Sequence, residues 1–273
     1  LNTINTILQT AIDIAKGAGD ILRQGVAHMS HAGVEFKSSD VDPVTEFDRR
    51  SEAYIVEHLQ AAFPSHRIVG EEGGAYDASA TQNGHVYEWR VDPLDGTVNF
   101  AHAVPIFAVS LGLLLDDAPV VGVVYNPMTD ELFSALHQQG AWLNGHAIHV
   151  SHTHTLKRAL LGTGFPYDRA TSPLNNYQNF MNFKREAQAV RRLGAAALDL
   201  CFVACGRFDG YWEQKIQPHD IAAGMLIVRE AGGCVTDFDG NADTKYLFAQ
   251  RQVCSSNGIL HDDMLRVLRQ PAQ

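Results

Sequence analysis

The chain has 273 residues, 45% hydrophobic and 19% charged, which is the composition of an ordinary globular protein long enough for one large core or two intimate ones. Its 31 acidic against 21 basic residues give a formal charge of −10, a field that repels nucleic acid and anionic membranes and is compatible with hard divalent cations. No apolar run reaches the roughly 18 residues of a membrane span: the longest candidate, residues 104–115, is interrupted by Pro105, Ser110 and Gly112 and stops at Asp116 and Asp117.

The chain opens without a basic patch followed by an apolar block, so no signal peptide is expected and the expected location is cytoplasmic. Ile4, Ile7, Leu8, Ala11, Ala15, Ala18 and Leu22 follow the spacing of an amphipathic helix. A second helix is predicted to start either at Asp42 with Pro43 or at Thr45 with Asp48, and to run through Ile55 and Leu59 until Pro64 stops it. The period then changes. Residues 67–70 read as a short strand, 76–84 as a polar loop, and 86–91 as a strand that delivers Asp92. Further strands are predicted at 106–115, 120–125, 131–135, 140–143 and 147–150, with Asn144-Gly145 as a hairpin turn before the last. This half reads as two helices ahead of a mostly antiparallel sheet.

From about residue 156 strands and helices alternate: strands at 159–164, 189–193, 208–213, 234–237 and 252–255, helices at 173–187, 195–205, 220–231 and 259–268. Alternation argues for a layered α/β unit. The expected division is an N-terminal domain of residues 1–155 and a C-terminal domain of 156–273, joined near His149, His152 and His154. Those histidines read as an exposed loop, because no carboxylate or cysteine shares their segment. Cys201, Cys205, Cys234 and Cys254 contain no Cys-x-x-Cys pair and read as reduced core residues.

Four acidic clusters carry the chemistry. Asp92-Pro93-Leu94-Asp95-Gly96-Thr97 follows an apolar strand, with Pro93 stiffening a turn, Gly96 allowing close backbone approach, and Thr97 able to cap a following helix. Two carboxylates beside a helix N-terminus suit a metal-bound phosphate. Gly70-Glu71-Glu72-Gly73-Gly74 also follows a strand, and by itself reads as a solvated loop. Glu213 ends a strand and Asp220 opens a helix after Gln217-Pro218-His219; alone, Asp220 is a first-turn acid that complements the helix dipole. The fourth cluster runs from Lys37 through Asp40 and Asp42 to Asp48, and by itself reads as a capped helix start.

Together, in order and spacing, the clusters resemble the inositol monophosphatase family. Residues 87–100, centred on Asp92 to Thr97, look like its first signature, and Gln217-Pro218-His219-Asp220-Ile221-Ala222-Ala223-Gly224 with Glu230-Ala231-Gly232-Gly233 looks like its second. Residues 191–200 are most similar to bacterial inositol-1-monophosphatases, and the likeness runs from Ile4 to the last helix. The resemblance implies an alternating α-β-α-β-α sandwich, a homodimer, inhibition by Li⁺, and two to three Mg²⁺ ions. It assigns Glu71, Asp92, Asp95, the Leu94 carbonyl and Asp220 to metal, with Asp220 arriving from the second domain. It makes Glu71, Thr97 and Asp48 catalytic: a metal-activated water oriented by Glu71 and Thr97, with Asp48 taking a proton through the threonine hydroxyl. It places the phosphate on the Gly96 and Thr97 amides. Asp95, Ala196, Glu213 and Asp220 surround the substrate in it, and Lys37 offsets phosphate charge. His219 departs from the family pattern, which commonly has Trp there, and reads as a tolerated substitution at the core or rim.

The implied activity is Mg²⁺-dependent hydrolysis of a small phosphorylated polyol, myo-inositol monophosphate first, with no nucleic-acid or membrane partner. Rivals within the family act on fructose 1,6-bisphosphate, histidinol phosphate or 3′-phosphoadenylates, and a regulatory protein-binding role is a further alternative. The haloacid-dehalogenase type also uses Asp-Gly-Thr, but in an Asp-x-Asp-Gly-Thr motif near the N-terminus, unlike the spacing of Asp92 and Asp95 here.

Overall fold

The computed structural model describes residues 4–28, 34–36, 43–76 and 84–270. Helix α1 (Ile4–His28) buries Ile7, Ala11, Ile14, Ala15, Ala18 and Leu22 as one stripe. A ribbon of β1 (Val34–Phe36) antiparallel to β2 (Pro43–Thr45) leads into α2 (Glu46–Ala62). Thr45 is the start of that helix. Its hydroxyl accepts from Phe47 N at 3.1 Å, and Asp48 accepts from Thr45 N at 2.8 Å, which closes a capping box. Pro43 belongs to β2, while Asp42 and Lys37 lie outside the described residues, as does most of the expected loop at 76–84.

The next strands are β3 (Arg67–Gly70), β4 (Ala75–Tyr76) and β5 (Tyr87–Asp95). A short α3 (Thr97–Ala101) follows, then β6 (Ala108–Leu115), β7 (Ala118–Asn126), β8 (Glu131–Leu136), β9 (Gly140–Leu143) and β10 (His146–Ala147). They form an eight-stranded sheet ordered β10-β9-β8-β7-β6-β5-β3-β4, antiparallel except for β3 with β5. Asn144 and Gly145, at φ 49° and 79°, make the two-residue turn between β9 and β10. The last strand is shorter than expected and stops at Ala147.

The second sheet comprises β11 (Leu160–Thr163), β12 (Ala189–Arg191), β13 (Gly210–Gln214), β14 (Cys234–Thr236) and β15 (Gln252–Ser256), ordered β12-β11-β13-β15-β14. Between them run α4 (Tyr177–Glu186), α5 (Ala196–Ala204), α6 (Pro218–Glu230) and α7 (Thr244–Gln250), and α8 (His261–Leu268) follows. Helix α7 and a 3₁₀ turn at Leu156–Arg158 were not anticipated from the sequence.

Helices α1 and α2 cover one face of the first sheet, and α5 and α6 fill the space between the two sheets. Helices α4 and α8 cover the far side of the second. The result is an α-β-α-β-α sandwich. Being packed on both sides, α6 buries every residue from Ile221 to Val228, and α5 is nearly as apolar all round. His149, His152 and His154 are exposed. The four cysteines are free; Cys201 and Cys254 are buried, Cys205 and Cys234 only partly so. Among the described residues no helix is long and apolar enough to cross a membrane.

Candidate active site

Strand β5 does not end before the acidic motif but runs through it to Asp95. Side chains three apart on a regular strand face opposite ways. Here Asp92 pairs with Ser110 and Asp95 with Ala108, so β5 spends one residue more than β6. This bulge returns both aspartates to one side. Pro93, which has no N–H to donate, fits an interrupted ladder better than a turn. Leu94 N donates to Asp92 Oδ1 at 3.0 Å, and Ser51 of α2 donates to the Pro93 carbonyl at 2.9 Å.

Gly96, not Thr97, caps α3. Its φ of 96° belongs to glycine, and a Cβ there would stand 3.0 Å from the Ile106 carbonyl. Thr97 is the first helical residue, with its hydroxyl 3.1 Å from both Asp48 Oδ1 and the Leu94 carbonyl.

Helix α2 supports this wall with polar residues in the first two turns of its buried stripe. Asp48, Ser51 and Glu52 continue the line of Ile55, Val56 and Leu59. Glu52 accepts from Gly73 N and, at 2.8 Å, from Glu72 N, and so clasps the loop that carries Glu71. A Cβ at Gly70 would fall 2.6 Å from the Glu52 carboxylate, which explains a glycine there.

The opposite wall is built from helix ends. The amides of Ala196 and Ala197, which open α5, donate to the two oxygens of Asp95 at 3.1 and 2.7 Å. The Ala196 N–H is thus engaged by Asp95. In α6, Gln217 is the cap, Pro218 the first helical residue, and Asp220 accepts from Gln217 N at 2.7 Å. The helix reaches the site because Gly112 and Gly122, partners on β6 and β7, let its backbone approach. A Cβ on Gly122 would stand 2.8 Å from the Ala223 carbonyl, and one on Gly112 would stand 2.7 Å from Ala222 Cβ. From β13, Glu213 accepts from the Tyr211 hydroxyl and packs against Gly164.

These groups meet in one cleft of about 1100 Å³, lined by Glu71, Asp92, Asp95, Thr97, Glu213 and Asp220 among others. Burial, then the charges of Glu71, Asp95 and Asp220, hold the Asp92 carboxyl well above the usual range. Burial, then Asp220, does the same to Asp95, and Asp220 is raised by burial with Glu71 adding to it. Burial pushes Asp48 up to about 6 and Glu213 up to about 7. Oxygen donors so crowded repel one another when ionised. A hard dication among them offsets that repulsion, so the donor set fits Mg²⁺ or a similar ion.

Glu52 and Ser51 were missed in the sequence, although their spacing from Asp48 puts all three on one helix face. Asp199 of α5 was also missed. It is buried at the cleft, one of its oxygens has no hydrogen-bond partner, and burial raises it well above the usual range. The one signal that could have found it is its being the only charged residue in the apolar run 195–205.

Residues 4–272 match the model of the inositol monophosphatase family. The chain belongs to that family. Its members are phosphoric monoester hydrolases, and this chain is one of them. It is 44% identical to the inositol-1-monophosphatase of a Synechocystis species over 96% of this chain and 89% of that one. It is 43% identical to Nus factor SuhB of Pseudomonas aeruginosa over 86% of each. Among solved structures, the inositol monophosphatase of an Anabaena (Nostoc) species superposes with a TM-score of 0.87 at 40% identity, covering 99% of this chain and 98% of that one.

Proposed function

We propose that this inositol monophosphatase family member hydrolyses the phosphate monoester of a small polyol, myo-inositol monophosphate first among them, with Mg²⁺ as its cofactor. The convergence of Glu71, Asp92, Asp95 and Asp220 on one cleft, beside the Thr97–Asp48 pair, carries this reading. Those four carboxylates and the Leu94 carbonyl would hold two to three ions. When bound, Mg²⁺ supplies Lewis acidity and neutralises charge on the phosphate.

The rest of the work falls to the chain. Glu71 and Thr97 orient the attacking water. Its proton passes to the Thr97 hydroxyl as that hydroxyl gives its own to Asp48, whose value of about 6 suits a base near neutral pH. The Gly96 and Thr97 amides support the phosphate. Glu213 accepts hydrogen bonds from polyol hydroxyls beside Ala196, and Lys37 offsets phosphate charge.

The test is phosphate release from inositol 1-phosphate, fructose 1,6-bisphosphate, histidinol phosphate and 3′-phosphoadenosine 5′-phosphate, with and without Mg²⁺. The expected result is the highest kcat/KM for inositol 1-phosphate, dependence on Mg²⁺ and inhibition by Li⁺. A higher kcat/KM for another substrate reassigns the specificity, and a trapped aspartyl-phosphate sinks the mechanism. The likeness to a Nus factor favours one second reading, a protein-binding role in transcription. Pull-down from a nuclease-treated lysate tests it.

A further inference from the structure

The helix that brings Asp220 to the cleft also brings an imidazole. His219 is the second residue of α6, directly after Pro218. Its side chain is 15% exposed and lines the same cleft. One of its ring nitrogens and single carboxylate oxygens of Glu71 and Asp92 all lie within 4.8 Å of one another, the only such trio of ligating side chains among the described residues. Nε2 also stands 3.5 Å from Asp220 Oδ1. Donors bonded at ~2.1 Å to one octahedral ion are ~3.0 Å apart when adjacent and ~4.2 Å apart when opposite. The spread of the three ligand atoms, at most 4.8 Å, is thus close to that of a single coordination shell.

We infer that His219 is a nitrogen ligand to an ion held by Glu71 and Asp92, and that it makes this position favour Mn²⁺ or Co²⁺ more than an all-oxygen site would. The inference rests on the reading of Glu71 and Asp92 as metal ligands. Carboxylates and water suit Mg²⁺, whereas imidazole adds affinity for first-row transition dications. A nitrogen donor therefore changes the choice of ion more than the presence of one.

Mn²⁺ is the probe. It is added at one and at three equivalents to the metal-free full chain. Continuous-wave electron paramagnetic resonance counts the free ion, and pulsed resonance detects ¹⁴N coupled to the bound ion. The wild type should show the coupling of a directly bound imidazole. His219→Gln and His219→Phe, checked for folding by circular dichroism, should lose it and bind Mn²⁺ roughly 10-fold more weakly. Their Mg²⁺ affinity, followed by calorimetry, should stay where it was.

Bound Mn²⁺ without nitrogen coupling, or with coupling that survives in His219→Gln, overturns the assignment of His219 alone. A wild type that binds no Mn²⁺, or an Asp92→Asn variant that binds it equally well, overturns the carboxylate reading and the inference together.

Discussion

On the β5 wall of the cleft, main-chain hydrogen bonds fix the functional groups. Strand β5 is paired on both edges, parallel to β3 and antiparallel to β6, and its bulge turns Asp92 and Asp95 to one side. On the α6 wall no ladder reaches Asp220. Its position follows from a helix backbone resting on Gly112 and Gly122, where nothing larger than hydrogen fits. A ladder is indifferent to most side-chain changes, whereas close packing responds to a single methyl group. The first wall should therefore tolerate substitution around it, and the second should not. Asp95 ties the β5 wall to α5, since both of its oxygens accept hydrogen bonds from the start of that helix.

The largest expected effect comes from removing the charge on the α6 wall while keeping its shape. Asp220→Asn should lower Mg²⁺-dependent phosphate release by about 10³-fold or more, because each metal contact is worth several kcal/mol in the transition state. The thermal midpoint of the metal-free protein should not fall. Burial and the nearby Glu71 charge already make an ionised Asp220 unfavourable in the fold. A variant with full activity would mean that the cleft works with the β5 wall alone, and the comparison would have no functional content.

The next effect tests packing without touching a functional group. Gly122→Val places a branched side chain where a Cβ alone would be 2.8 Å from the Ala223 carbonyl. Overpacking of this kind costs ~1–3 kcal/mol. A shift of about 1 Å in α6 should lower turnover roughly 100-fold through misplacement of Asp220. Thermal unfolding and phosphate release, measured on the same preparation, should fall together. Lost stability with unchanged turnover would show that α6 can move without moving the site, and would break the contrast between the walls.

The same contrast explains what the sequence disclosed. The fold class and the order of most elements were legible, because hydrophobic periodicity and capping residues are local signals. Thr45 with Asp48 is a capping box readable three residues at a time. The motif from Asp92 to Thr97 was recognisable, yet its shape was misread. Pro93 and Gly96 look like turn residues, and whether a proline interrupts a ladder or makes a turn depends on the partner strand. Glu52 was passed over, because only the folded loop at Gly73 shows what it holds. His219 read as a tolerated substitution at the core or rim, and its place beside Glu71 and Asp92 depends on contacts distant in sequence. Helix α7 is seven residues long, too short to show a period. Asp220 and Glu71 were expected at the site through family resemblance; their own neighbourhoods in sequence gave only a capped helix and a loop.

The smallest effect separates substrate contact from metal on the α6 side, and it is read through pH. Burial is the main reason Glu213 is pushed up to about 7 from an ordinary 4.5, and the hydrogen bond from Tyr211 only partly opposes it. The neutral form is therefore the one the metal-free fold prefers. Its contribution to stability is complete below about 4.5 and is lost as pH rises through about 7. Glu213→Gln should match the wild type in thermal midpoint at the acid end and exceed it increasingly between those limits. Substrate should respond in the opposite direction. An ionised Glu213 accepts hydrogen bonds from polyol hydroxyls more strongly than a neutral one, so the wild-type KM should fall as pH rises through about 7. In Glu213→Gln that fall should be absent, and KM above pH 7 should be higher by roughly 10-fold, the worth of a hydrogen bond to a charged group. Taking the ratio of variant to wild type at each pH cancels titrations common to both, including those of the metal carboxylates. A ratio that stays flat across pH 6 to 8 would remove Glu213 from the substrate contacts and leave the α6 side with Asp220 alone.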